Sequence, residues 1–296
     1  MKKLKFCLEY SGILVVDLFF ICLPENLALK LGEWIGLFFC WVIPKRRSLV
    51  MENLKQAFPE KSLREIKRIS GRVWRNLGRV GVEFIRVPKI TPSNYQDFFS
   101  YEGQDHIDQA RSLGKGIVMA GFHLSNWEWS GLAAQFDLKN VVAIARPMKN
   151  PYVENWIQRK RQGAGMDIIL HRQAVRASLK AIKQKKSVAI LMDQNLYQGG
   201  VFVDFFGRPA ATTTLPALLH SRTGAPVLIA YGIRKGKKIQ LNYGKPIDFP
   251  EVEDPSERLQ VFTQIITKEI EKVIRSNPEY WFWIHNRWKR KPLETY

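Results

Sequence analysis

The sequence predicts an α/β fold, a central and mostly parallel sheet flanked by helices, preceded by a helical segment that associates with a membrane. From residue 104 onward, short continuous apolar runs alternate with helical stretches, the pattern of a sheet covered on both faces. Polar residues gather directly after three of those runs, where open α/β sheets place their active groups. Apolar residues otherwise concentrate near the N-terminus, bracketed by lysines and arginines.

Lys2, Lys3 and Lys5 precede an apolar run from Tyr10 to Leu23 that only Asp17 interrupts, and Pro24-Glu25-Asn26 ends it. A second run, Leu27 to Pro44, contains Lys30 and Glu33 and stops at Lys45-Arg46-Arg47. Each is shorter than the roughly 20 residues of a perpendicular span. Positive charge at both ends of the pair favours the cytoplasmic side for each. The expectation is a hairpin dipping into the bilayer or helices lying in its interface; the alternative is two helices of an ordinary core. A cleaved signal peptide fits less well, because no small-x-small site precedes Ala28 and a second apolar run follows at once.

Ser62-Leu63-Arg64-Glu65 is a capping box ahead of a helix over 62–86. At about 100° per residue, Arg64, Arg68, Arg72, Arg75 and Arg79 share one sector, opposite Ile66, Ile69, Val73, Leu77, Val80 and Phe84. The stripe is either a solvated face or a contact for phosphate groups of lipid or of an acidic carrier protein, with Arg72 and Arg75 at its centre. Residues 87–103, with Pro88 and Pro92, are the expected boundary. Three parts result: an anchor at 1–47, a helical segment with a basic face at 48–103, and the α/β domain at 104–296.

In that domain the sequence predicts a helix over Gln104–Leu113 and a strand over Gly116–Gly121. A helix from Asn126, a strand over Val141–Ala145 and a helix over Pro151–Gly163 come next. A helix over Gln173–Lys185 leads into a strand over Ser187–Met192, and Val201–Phe206 reads as a strand or bulged loop. Thr214–Thr223 is helical with Gly224 as its cap. Strands over Pro226–Tyr231 and Lys238–Tyr243 and a long helix over Ser256–Ser276 complete the body.

Composition narrows the function. The 296 residues include 46 Lys+Arg against 27 Asp+Glu, a net charge of +19, with 9 Trp and 17 Phe. An anionic partner met at an apolar boundary fits that mixture. Cys7, Cys22 and Cys40 all lie in the first 40 residues, which excludes a disulfide-stapled body and a cysteine nucleophile within it. Nucleotide-binding glycine loops and the Gly-x-Ser-x-Gly elbow are absent. The five histidines are scattered, and no metal site or cofactor is expected.

Three strand ends carry polar groups. Phe122-His123-Leu124-Ser125-Asn126-Trp127-Glu128 follows the first, Arg146 the second and Asp193-Gln194-Asn195 the third. With a helix from Asn126, Glu128 falls in its first turn and is expected to reach back to the His123 imidazole. A carboxylate on one ring nitrogen fixes the tautomer and makes the other a candidate base for a hydroxyl. A structural histidine beside a capping glutamate is the alternative. Arg146 is the candidate for a developing oxyanion or the donor, helped by backbone N–H groups of residues 207–213. Asp193, Gln194 and Asn126 are further candidates for binding substrate or oxyanion.

The H-x-x-x-x-E spacing of His123 and Glu128 after a short strand resembles the signature of glycerolipid-type acyltransferases. Gly121–Glu128 as a whole is similar to the lauroyl/myristoyl acyltransferases of late lipid A biosynthesis. Ala145-Arg146-Pro147 with Asn150-Pro151, Asp193-Gln194-Asn195, Phe205–Thr213 and His285-Asn286-Arg287-Trp288-Lys289 resemble further blocks of that family, in order. The resemblance covers nearly the whole chain. It implies a glycerolipid-acyltransferase-like fold and transfer of a fatty acyl group from a thioester, usually on acyl carrier protein, to a hydroxyl of a lipid A precursor. It places this at the cytoplasmic face of the bacterial inner membrane and makes an acyl tunnel an expectation. Another glycolipid or an aminolipid is the alternative acceptor. A basic nucleic-acid-binding module is a remote alternative: no nucleic-acid motif is present, and such a module has no use for the apolar N-terminus.

Overall fold

The computed structural model describes residues 2–292. Four helices come first: α1 (Lys2–Cys22), α2 (Glu25–Val42), α3 (Pro44–Ala57) and α4 (Leu63–Ile85). The short α5 (Tyr95–Phe98) leads into β1 (Phe99–Glu102), and α6 (Gln104–Ser112) into β2 (Ile117–Gly121). Then follow α7 (Trp127–Leu138), β3 (Val141–Ala145), α8 (Pro151–Gly163), β4 (Asp167–Leu170), α9 (Ala174–Lys183) and β5 (Ser187–Leu191). A hairpin of β6 (Val201–Phe205) and β7 (Arg208–Thr212), α10 (Leu215–Thr223), β8 (Val227–Lys235), β9 (Lys238–Tyr243) and α11 (Pro255–Ser276) complete the chain's regular elements.

Seven strands form one sheet in the order β1-β9-β8-β2-β5-β3-β4. Every neighbouring pair is parallel except β8 and β9, which make an antiparallel hairpin. Side chains alternate across the strands and feed two cores. Val118, Ala120, Val188 and Ile190 face α9, α10, α11 and the aromatic C-terminal segment. Ile117, Met119, Val141 and Leu228 face Trp129, Leu132 and Leu138 of α7.

The predicted central strands and the caps at Ser62 and Gly224 are present: Ser62 and Glu65 bond reciprocally, and Gly224 closes α10 with a left-handed φ of 62°. Three strands were not anticipated. β1 lies inside the expected boundary, where it pairs with β9. β4 is a four-residue edge strand, and β7 carries Pro209 in a two-stranded sheet of its own, the edge setting that tolerates a missing N–H. Val50, Leu54, Ile66, Val73 and Trp74 of α3 and α4 sit in the same core as the sheet.

No single described helix is long and apolar enough to cross a membrane. Instead α2 lies against α4 through glycines. A Cβ on Gly36 would run into the carbonyl oxygen of Trp74, and one on Gly78 into that of Gly32. Close approach of two backbones is what Gly32-x-x-x-Gly36 allows here. Arg79 of α4 adds an ion pair to Glu33 of α2 at 3.6 Å. Arg86 donates to Phe20 O and Leu23 O at the end of α1, and Lys160 of α8 pairs with Asp17 at 2.8 Å. The outer faces of α1 and α2 stay bare, with Val15 70%, Trp34 66% and Trp41 72% exposed.

Candidate active site

Register assembles the site. Gly121 of β2 pairs with Leu191 of β5, so the residues two positions beyond each strand end, His123 and Asp193, face each other. The Asp193 carboxylate receives His123 Nδ1 at 2.7 Å and the His123 backbone N–H at 2.9 Å. The Trp281 indole donates to the same carboxylate at 2.7 Å. Burial alone would push the Asp193 carboxyl up. The charge of His123 and these hydrogen bonds outweigh it and hold the group down at about 2. Asp193 is therefore an anion at neutral pH, and Nδ1 of His123 carries the proton it donates. In the uncharged imidazole Nε2 has a lone pair, and Gln194 Nε2 lies 3.1 Å from it.

This corrects the expected pairing. Glu128 does sit in the first turn of α7, but Arg161 of α8 takes its carboxylate with two hydrogen bonds, 2.6 and 3.0 Å long. A bidentate guanidinium outcompetes a histidine whose Nδ1 already has a partner. Asn126 is corrected too. It is wholly buried, caps α7 through Trp129 N–H and donates to Glu83, so it supports the loop and is closed to substrate. Asp193, expected to bind substrate or oxyanion, is instead buried behind the imidazole. Gln194 is exposed and meets His123 Nε2. Arg146 is exposed just beyond β3, two strands from β2. Residues 207–213 belong to the β6–β7 hairpin, where the Gly207 N–H bonds Asp204; Ala211 O and Thr212 Oγ1 accept from Arg287.

The C-terminal segment completes the site. Leu124 bridges Trp281, Phe282 N–H donates to His123 O, and the Phe282 and Trp127 rings flank the imidazole at 5.7 and 5.0 Å. Ser125, held at a left-handed φ of 50°, gives its N–H to Tyr280 O at 2.8 Å. His285 Nε2 accepts from Asn195 N–H at 2.9 Å, and the Arg287 guanidinium donates to Gln194 O. Burial, then the charges of His123, Arg287 and Arg46, push the His285 imidazole down to about 4 against the pull of Asp193. It stays neutral and able to accept. Sequence reasoning placed His285 and Arg287 only in a family block; Trp281 and Arg161 left no local signal.

A cavity of about 100 Å³ lies under α7, and Trp127, whose ring stands 5.0 Å from the His123 ring, is in its wall. Gly131, Ala134, Ala143, Ala189 and Ala230 make room for it, and Met166 bounds it. A Cβ on Gly131 would come within 2.9 Å of Met166 Cε. The Glu128–Arg161 pair lies in its wall. On the other side, Asn76 of α4 donates to Ser125 O, and Arg72 reaches Glu279 at 3.5 Å. The arginine stripe therefore borders the active-site loops. Arg64, Arg68, Arg72 and Arg75 are exposed, while Arg79 turns inward to Glu33 and Glu83.

A buried carboxylate, an imidazole with one nitrogen turned outward and an apolar slot can together remove a hydroxyl proton next to a hydrocarbon chain. That is equipment for an acyltransferase. The family model for bacterial lipid A biosynthesis acyltransferases matches residues 2–290, and the chain belongs to that family. It is similar to the lipid A biosynthesis palmitoleoyltransferase of Escherichia coli K12, 27% identical over 98% of this chain and 93% of that protein. The lauroyltransferase of the same organism is 25% identical over 97% and 93%. A phosphatidylinositol mannoside acyltransferase of Mycobacterium tuberculosis (strain CDC 1551 / Oshkosh) is 24% identical over 63% and 58%.

Proposed function

We infer that this acyltransferase moves a fatty acyl chain from an acyl carrier protein thioester to a hydroxyl of a lipid A precursor, at the cytoplasmic face of the bacterial inner membrane. The observation that carries the reading is the Asp193–His123 contact of 2.7 Å, with Trp127 both against that imidazole and in the wall of the apolar slot. The hydroxyl gives its proton to His123 Nε2 as its oxygen attacks the thioester carbonyl carbon. Asp193 stabilises the imidazolium that forms. Collapse of the tetrahedral intermediate breaks the C–S bond, and the thiolate takes the proton back. The acyl chain lies in the slot under α7, and Arg72 and Arg75 meet phosphate at the rim. Arg146 serves the donor from the end of β3, and Glu128 holds Arg161 at the slot wall. The bare faces of α1 and α2 rest in the membrane interface.

The test is transfer by the purified full chain from acyl carrier protein and coenzyme A thioesters to a lipid A precursor and to a phosphatidylinositol mannoside. His123→Ala and Asp193→Asn should each lower kcat by about 10²–10⁴, the usual contribution of a general base and of its orienting carboxylate. A folded His123→Ala protein with wild-type kcat ends the general-base reading. Preference for coenzyme A or for the mannoside would replace the donor or the acceptor.

A further inference from the structure

Gln194 has an unusual setting. Its backbone is clamped: Arg287 donates to its carbonyl, Asp193 before it is locked to His123 and Trp281, and Asn195 after it is held by His285 and by Arg290 N–H. Its side chain is exposed, and among the described residues it bonds His123 Nε2 at 3.1 Å. With Nδ1–H donated to Asp193, Nε2 of the uncharged imidazole offers a lone pair, and the Gln194 amide N–H donates to it. The amide thus stands where a substrate hydroxyl would have to stand to be deprotonated.

We propose that Gln194 is a guard on the base, a residue acting through His123: its amide occupies His123 Nε2 until the acceptor hydroxyl displaces it. The guard rests on the general-base reading above and adds to it. Its chemistry concerns water. An acyl thioester bound in the slot beside an uncovered imidazole is open to attack by water. The water would give one proton to Nε2 and bond through oxygen to the carbonyl carbon, and the C–S bond would break to release the free acid and the thiol. An amide on Nε2 leaves that water no base. The acceptor wins the position because its other contacts hold the hydroxyl there, which a free water lacks. Only side-chain torsions move, since the backbone at 193–195 is fixed.

The test uses the full chain and the dodecanoyl thioester of N-acetylcysteamine without acceptor, with thiol release followed by a chromogenic disulfide. Gln194→Ala should raise this hydrolysis about fivefold, the fold-change equivalent of one net hydrogen bond of about 1 kcal/mol. The rise should vanish in Gln194→Ala/His123→Ala. Gln194→Glu puts a negative charge beside the ring, so the acid limb of transfer to a lipid A precursor should move to higher pH. Hydrolysis unchanged in Gln194→Ala, a rise that survives loss of His123, or an unmoved acid limb each overturns the guard. Transfer to the lipid A precursor by His123→Ala separates the two readings. If it loses transfer while Gln194→Ala shows no extra hydrolysis, the base stands and the guard falls. If it transfers at the wild-type rate, the general-base reading falls with it.

Discussion

The two ends of the chain invert the usual relation between polarity and burial. Residues 2–43 are the more apolar, yet Leu8, Val15, Phe19, Trp34, Phe38 and Trp41 lie exposed. Residues 278–290 carry His285, Arg287, Lys289 and Arg290, yet Trp281, Trp283 and Arg287 are among the most buried side chains in the molecule. Burial at the C-terminal end is earned through hydrogen bonds: Arg287 donates to Ala211 O and Thr212 Oγ1, and Trp281 to Asp193. At the N-terminal end the apolar surface lies uncovered among the described residues, because the glycine contact with α4 uses only the inner face of α2. One end builds the chemistry and the other presents a surface.

Substitutions at the two ends should therefore fail differently. The largest effect belongs to Trp281→Phe, which keeps an aromatic ring and deletes the donor to Asp193. A hydrogen bond to a charged group is worth about 1.5–3 kcal/mol, so kcat should fall about tenfold to a hundredfold with KM little changed. Equal kcat would mean that the C-terminal segment only packs. Gly78→Ala comes next. Its new methyl meets Gly32 backbone, which cannot rotate away, and overpacking of this kind costs about 1–3 kcal/mol. Thermal unfolding should show Tm lowered by several degrees, while kcat of the folded fraction persists.

Acid should loosen the C-terminal end first. His285 is held at about 4, below its unfolded value near 6.5, so the unfolded chain binds more protons between those pH values. The stability His285 contributes is complete above pH 6.5 and is lost as pH falls toward 4. His285→Gln keeps an acceptor for Asn195 N–H without a titrating group. Its urea midpoint should vary less with pH in that window, and identical curves would rule out the His285 contribution. The smallest change in stability, within about 0.5 kcal/mol, should come from changing Trp34, Phe38 and Trp41 together to Ser, as expected of exposed sites. Sedimentation with anionic vesicles should nonetheless show weaker binding, and unchanged binding would move the membrane surface elsewhere.

How much was legible in the sequence follows the same division. Local signals were read correctly: the capping box at Ser62, the left-handed cap at Gly224 and the buried strands over 117–121, 141–145 and 187–191. His123, Asp193 and Gln194 were recognised as strand-end residues. Which carboxylate meets the imidazole was not legible, because it depends on β5 lying beside β2 in one register, with the partners 70 positions apart. Glu128, five positions away, was the nearer candidate by sequence, and the long-range Arg161 contact removed it. β1, β4 and β7 escaped because short edge strands borrow their stability from neighbours and carry little pattern of their own.

The link from Trp281 to Asp193 joins residues 88 positions apart and has a consequence for the order of events in the cell. Synthesis proceeds from the N-terminus at about 5–20 residues per second, so the interval between making these two residues is about 4–18 s. The apolar helices are already made by then. A ribosome-bound chain can settle its outer surface while its imidazole still lacks the indole that steadies the orienting carboxylate. If His123 is the base, activity should date from the end of translation, and a chain cut short before Trp281 should be inactive.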